Sequence, residues 1–209
     1  MILKIFLWGA FITLPVFFVQ IGLTSLLGEI NIGPMAQSIV YWFLIISLTE
    51  ELFKYLVVKI KVMNSPHLDE PVDIMIYMVV AALGFAALEN VLYLLSPIGQ
   101  MSFDQVIYRT MFIGLIRFVG ATFLHTLCSA VIGYAMAISL FDQKNKMLEF
   151  ISGLTVAVVL HGLYDFSIMT LSGNMKFVIP IIIILTLAFL VFSGFEKLKK
   201  MKGITKLNI

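Results

Sequence analysis

Six acidic or histidine side chains interrupt otherwise apolar stretches of this 209-residue chain, and their types suit acid–base chemistry: Glu50, Glu51, Glu89, His125, His161 and Asp165. A carboxylate beside an imidazole can take a proton from water and later return one to a leaving amine. A second imidazole or an amide can stabilise the charge that develops on the attacked carbonyl oxygen. The set therefore predicts a peptide hydrolase that needs no nucleophilic side chain.

The spacing of these residues on helices favours contacts between them. Lys54 lies three residues after Glu51 and four after Glu50, so its ammonium can reach either carboxylate. His161 and Asp165 are also four residues apart, on one helix face. Residues predicted to support the catalytic set are Lys54, Asn90 and Arg117, the last two as candidate partners of Glu89.

Three other uses of the same residues stay open. Imidazole and carboxylate suit zinc or another divalent metal, although the chain has no HExxH or ExxH pair. Intramembrane Glu, His and Asp also mark proton or ion paths, but no internal repeat typical of transporters is visible. A non-enzymatic immunity or signalling scaffold could keep them as buried ion pairs. The leading prediction is a hydrolase without a cofactor, and the alternative metal ligands are Glu50, Glu89, His125 and His161.

Composition places the chain in the membrane. Hydrophobic residues make up 61% and charged residues 12%, against about 45–50% and 25% in soluble domains. The net charge of +2 gives no reason to expect a nucleic-acid partner. The only cysteine, Cys128, cannot form an internal disulfide and is expected to pack. The fold class is therefore an all-α, polytopic helix bundle, treated as one domain over 1–209, and nothing in the sequence sets its oligomeric state.

About 20 apolar residues cross a bilayer, and this length divides the chain into about six spans. The stretch 104–141 is too long for one crossing, so a break is predicted near 114–120 with an interfacial or re-entrant helix over 104–116. The first run outlasts a signal peptide and is expected to stay as an uncleaved span. The predicted spans are 4–27, 36–60, 73–95, 118–141, 148–171 and 177–195.

Basic residues fall mainly on one side of this arrangement. Ten lysines, five of them in the tail 196–209, lie on one side, against Arg109 and Lys176 on the other. The asymmetry predicts that both termini are cytoplasmic. Each ionised group inside a span costs about 2.5–3.5 kcal/mol unless it is paired or hydrated. We therefore expect the polar residues of the second to fifth spans to converge on one wet cavity.

Four segments within 50–166 resemble, in the same order, motifs of the PrsW family of membrane proteases, part of the wider CAAX-protease and bacteriocin-processing superfamily. Glu50–Lys54 resembles EExxK, Asp69–Asp73 with Gly84–Tyr93 resembles D…D…GFAxxEN..Y, Arg117, His125 and Gly133–Tyr134 resemble R…H…GY, and His161–Asp165 resembles HGxxD. Ile74 departs from the family, which usually has Gly there.

The resemblance implies an intramembrane endopeptidase of the glutamate type in a bacterial cell membrane. By it, Glu50 and Glu51 activate the water, and Glu89 stands where the superfamily often has histidine. His125, His161 and Asp165 complete the implied site. The implied substrate is a membrane-anchored protein, such as an anti-sigma factor cut on the outer side.

Overall fold

The computed structural model describes residues 1–95, 102–141 and 144–201. All of its regular elements are helical, in the order α1 Ile2–Glu29, α2 Pro34–Ile39, a π-helical segment Val40–Ser47, α3 Leu48–Lys61, α4 Pro71–Leu94, α5 Phe103–Phe141, α6 Lys146–Thr170 and α7 Met175–Lys199. The predicted all-α membrane bundle is confirmed.

Five helices in the described ranges are long and apolar enough to cross a membrane: Ile2–Glu29, Pro71–Leu94, Arg117–Phe141, Lys146–Thr170 and Met175–Lys199. Each matches a predicted span to within a few residues. The predicted span 36–60 corresponds to the uninterrupted run from α2 through the π segment to α3. This run carries the charged motif at its centre, so composition alone does not identify it as a span.

The predicted break near 114–120 is wrong, because α5 is one helix of 39 residues. A glycine lacks a side chain but keeps its backbone N–H, so Gly114 and Gly120 need not end a helix. Gly120 instead allows close packing, since a Cβ there would lie 2.5 Å from the Tyr164 hydroxyl. The continuous helix excludes a re-entrant turn over 104–116, and the side chain of Arg109 lies outside the described part.

Helices α4 and α5 form the inside of the bundle. In the most apolar 18-residue stretch of each helix, 67% of the residues are buried in α4 and in α5, against 22% in α1 and in α7. Helix α1 approaches α4 through two glycines. A Cβ on Gly9 would overlap the Ala81 carbonyl, and one on Gly84 would overlap the Phe6 carbonyl. Such small-residue contacts let membrane helices pack backbone to backbone, which fixes the frame around the polar residues.

The start of α4 is capped by its own acidic residues. The Asp73 carboxylate accepts hydrogen bonds from the backbone N–H groups of Asp69 (3.0 Å) and Glu70 (2.8 Å). These acids therefore act at a loop and a helix start. Ile74, where the family usually has glycine, is fully buried in the apolar core.

Candidate active site

Four helices bring the predicted site residues together, near the C-terminal ends of α4 and α6. Helix α3 contributes its residues directly after the π segment, and α4 and α6 contribute theirs within about three turns of their C-termini. The residues are Glu50, Glu51 and Lys54 on α3, Glu89 and Asn90 on α4, Arg117 and His125 on α5, and His161 and Asp165 on α6.

The π segment sets the direction in which the α3 carboxylates point. π-Helical turns hold an extra residue, so they advance less per residue and rotate the helix that follows. Ser47 and Thr49 donate side-chain hydrogen bonds to the carbonyls of Trp42 (2.6 Å) and Ile46 (3.0 Å). The shorter advance places Glu50 nearer the Pro34 end of the run than 16 residues of α-helix would.

Glu51 is fully buried, and both of its oxygens have partners. Oε1 accepts hydrogen bonds from Lys54 Nζ (2.6 Å) and lies 2.9 Å from His161 Nδ1. Oε2 accepts a hydrogen bond from the Ser129 hydroxyl at 2.9 Å. Of the two carboxylates that Lys54 could reach, the ammonium pairs with this one. Glu51 thus ties α3 to α5 and α6.

Glu50 has different surroundings. Its Oε1 accepts a hydrogen bond from Gln20 Nε2 at 3.1 Å, whereas Oε2 is buried without a hydrogen-bond partner among the described residues. The polar groups nearest to Oε2 are His125 Nδ1 at 3.7 Å and His161 Nε2 at 3.8 Å. A buried carboxylate oxygen without a partner is costly, so it calls for a water, an ion or a substrate atom.

Each histidine presents its other ring nitrogen to a carboxylate. His125 Nε2 lies 2.8 Å from Glu89 Oε2, and its Nδ1 lies 3.1 Å from Lys54 Nζ. His161 Nδ1 contacts Glu51, and its Nε2 lies 3.3 Å from Asp165 Oδ2. These contacts fix the orientation of both rings. A Cβ on Gly162 would lie 2.8 Å from the Phe43 ring, so this glycine lets α6 reach the π segment.

Arg117 and its partners form the side of the site that faces the surface of the bundle. The Arg117 guanidinium lies 3.1 Å from Glu89 Oε2, donates from Nε to Asn90 Oδ1 (3.2 Å) and stacks 3.4 Å from the Tyr93 ring centre. The side chains of Arg117 and Glu89 are 18% and 17% exposed, and that of Asp165 is 22% exposed. These three side chains reach the surface of the bundle, whereas Glu51 and Lys54 are fully buried.

The donor set fits a divalent metal. Glu50, His125 and His161 each offer a ligand atom within 4.8 Å of the other two. Two imidazoles and one carboxylate are a common ligand set for catalytic zinc, and carboxylates on the far imidazole nitrogens are typical outer partners. Glu89, included among the alternative ligands, instead occupies the far nitrogen of His125. A second group, Glu51, Cys128 and His161, fits less well because both Glu51 oxygens are already hydrogen bonded.

Two polar contacts of the site were not predicted from the sequence. Ser129 lies one helical turn after His125, so the i,i+4 spacing could have indicated it. Gln20 is an isolated amide inside the first apolar span, and such a residue usually has a polar partner in another helix. Its partner lies 30 residues away, beyond the reach of local patterns.

The fold and the site together define a polytopic membrane protein that encloses a cluster of acid–base side chains. The sequence model described as "PrsW family intramembrane metalloprotease" matches residues 1–193. The chain belongs to the PrsW family, which confirms the resemblance seen in its motifs.

Curated relatives agree with this assignment. Protease PrsW of Bacillus subtilis (strain 168) is 27% identical over 210 residues, covering 100% of this chain and 86% of that protein. Protease PrsW of Clostridioides difficile (strain 630) is 28% identical over 171 residues, covering 80% of this chain and 67% of that protein. No solved structure matches the chain significantly. The chain is thus an integral membrane protein of a protease family.

Proposed function

We propose that this chain hydrolyses a peptide bond in a membrane-anchored protein, using a water held at Glu50 Oε2. The observation that carries the proposal is this buried oxygen, which has no hydrogen-bond partner among the described residues and faces two imidazole nitrogens. A water there would supply the missing hydrogen bond. It would also lie next to the group best placed to take its proton.

The surrounding residues suggest how the proton moves. Glu50 accepts it from the water as the oxygen attacks the peptide carbonyl. His125 Nδ1 and His161 Nε2 lie 3.7 and 3.8 Å from the same oxygen, so a proton would pass from Glu50 to an imidazole through one water and then to the departing amine. Glu51 takes no proton in this scheme. Its bonds to Lys54 and Ser129 hold α3 in place.

A metal is the alternative occupant of the same position. Glu50, His125 and His161 would hold it, and a divalent ion such as zinc would polarise the water and the scissile carbonyl when bound. The contact between Lys54 Nζ and His125 Nδ1 (3.1 Å) supports the metal-free form. An ammonium hydrogen bonded to that nitrogen and a metal bound to it exclude each other.

The shape of the site suggests the class of substrate and the side of cleavage. Glu89 and Asp165 each lie five residues before the ends of α4 and α6, about 8 Å from those ends at 1.5 Å per residue. The lysine-rich ends lie on the other side, which we take as cytoplasmic together with both termini. Cleavage is therefore proposed in the outer half of the bilayer, in a membrane-anchored protein whose chain unwinds near Arg117.

The test uses purified full-length protein in liposomes with a library of single-span substrates. Native protein is expected to release product, and Glu50→Gln is expected to lose it by about 100-fold or more. Glu149→Gln is the matched control, because Glu149 is a half-buried carboxylate in the first turn of α6, three turns before His161. Equal cleavage by native protein and Glu50→Gln would contradict the proposal.

Metal content is measured on the same preparations. If the site works without a metal, the preparations should contain far less than one zinc per chain, and cleavage should continue in the presence of a chelator. One zinc per chain, lost in His161→Ala, together with loss of cleavage on chelation, would assign the same residues to a metal site. No product from any substrate would instead support a scaffold without enzymatic activity.

A further inference from the structure

We infer that Gln20, on α1 and outside every motif segment, is a positioning residue that orients the Glu50 carboxylate. Its Nε2 lies 3.1 Å from Glu50 Oε1 and 3.3 Å from Thr49 Oγ1. The amide therefore holds one carboxylate oxygen and leaves the other, Oε2, for the water. This inference rests on the proposed role of Glu50.

The hydrogen-bond pattern fixes which way the amide faces. The Thr49 hydroxyl donates its hydrogen to the carbonyls of Ile45 and Ile46, so its oxygen is available only as an acceptor toward Gln20. The Glu50 carboxylate is an acceptor as well. An amide nitrogen has two hydrogens and meets both acceptors, whereas the amide oxygen would be repelled by both.

The same contact joins the π segment to the reacting carboxylate. The Thr49 hydroxyl donates a hydrogen bond to a carbonyl at the end of the π segment, and the Gln20 amide donates to both Thr49 and Glu50. Removing the amide leaves the carboxylate free to rotate about its last torsion.

Other contacts hold α1 in place without Gln20. Gly9 packs against the backbone of Ala81, and the Thr13 hydroxyl lies 3.4 Å from the Phe85 carbonyl. Thr13 is buried and polar, two turns before Gln20 on the same helix, and its hydroxyl hydrogen bonds to the Gly9 and Phe85 carbonyls. Thr13→Val is therefore a matched control for a general loss of α1 packing.

The experiment measures kcat and KM separately for the native full-length chain, Gln20→Leu, Gln20→Glu and Thr13→Val. In Gln20→Leu, kcat is expected to fall about tenfold with KM unchanged, the size of one hydrogen bond to a charged group. It should fall further in Gln20→Glu, which places a second carboxylate beside Glu50. Thr13→Val should keep the native kcat even if it melts earlier. Because glutamate matches glutamine in shape, Gln20→Glu carries the test if Gln20→Leu does not fold.

A second measurement does not depend on cleavage. The infrared carboxyl bands that disappear in Glu50→Gln report Glu50 directly, and their position at one fixed pH should shift in Gln20→Leu because the hydrogen bond to Oε1 is lost. Native kcat and unshifted bands in both Gln20 variants overturn the inference and leave the proposed function standing. If the native chain cleaves nothing, the proposed function fails, and the infrared bands still decide whether Gln20 acts on Glu50.

Discussion

Glu50 and Glu51 are neighbours in sequence but differ sharply in their surroundings. Glu51 is surrounded by donors from three side chains, Lys54, Ser129 and His161. Glu50 has one donor, Gln20, on one oxygen and none on the other among the described residues. A buried carboxylate that is fully paired stabilises a fold, whereas one left partly unpaired is available for chemistry. Under the proposed function, Glu51 is the structural member of the pair and Glu50 the reactive one.

The largest effect that tests this difference is loss of the Glu51 charge. Glu51→Gln leaves Lys54 as a fully buried ammonium without its counter-ion. We expect the free energy of unfolding to fall by about 3–5 kcal/mol, because a buried charge without a partner is strongly destabilising. Denaturant unfolding of the purified protein in detergent measures the loss.

Removing both charges together distinguishes pairing from packing. Glu51→Gln with Lys54→Met deletes the orphaned ammonium, so the double variant should recover at least half of the stability lost in Glu51→Gln. Such recovery is typical when a whole buried ion pair is replaced. A double variant as unstable as Glu51→Gln would mean that Ser129 and His161, rather than Lys54, depend on the Glu51 carboxylate.

A smaller effect concerns the glycine that lets α6 reach the π segment. Gly162→Ala places a Cβ 2.8 Å from the Phe43 ring, and we expect a loss of about 1–3 kcal/mol from overpacking. Gly22→Ala is the matched control, since nothing lies within 4 Å of a Cβ there. It should be neutral or slightly stabilising through helix propensity. Equal melting temperatures for the two variants would contradict the close approach of α6.

Much of this organisation follows from local patterns in the sequence. Apolar runs located five spans to within a few residues because length and hydropathy suffice for that task. The His161–Asp165 contact, at 3.3 Å, follows from spacing of four residues on one helix. Local spacing also showed that Lys54 could reach two carboxylates, but it could not show which one.

The remaining features depend on contacts between distant segments. The π segment Val40–Ser47 is an apolar run without Pro or Gly, so nothing local distinguishes it from an α-helix. The close approach of α5 to α6 at Gly120 involves Tyr164, 44 positions away in the sequence. The Gln20–Glu50 bond joins α1 to α3 across 30 residues. Such contacts are set by packing, which a single sequence does not display.

A modest effect is expected at the outer side of the site. Arg117→Lys keeps a positive charge near Glu89 but removes the Nε bond to Asn90 and the stacking on Tyr93. Because Arg117 is partly exposed, we expect kcat/KM to fall less than tenfold, about 1 kcal/mol or so in transition-state terms. Arg117→Gln should cost more, since Glu89 then also loses its counter-charge. If both variants cleave equally, the charge of Arg117 has no role and its planar contacts carry the effect.

The smallest expected change in stability is at Glu50, the residue whose loss should harm cleavage most. Glu50→Gln keeps an oxygen for Gln20 and offers an N–H₂ group to the two imidazoles where Oε2 had no donor. It also removes a charge from a buried position, which by itself is favourable. The free energy of unfolding should therefore stay within about 1 kcal/mol of the native value or rise, as often found when reactive groups are replaced. Denaturant unfolding run beside Glu51→Gln checks this. Equal destabilisation of the two variants would mean that both carboxylates serve the fold and that the reactive group lies elsewhere.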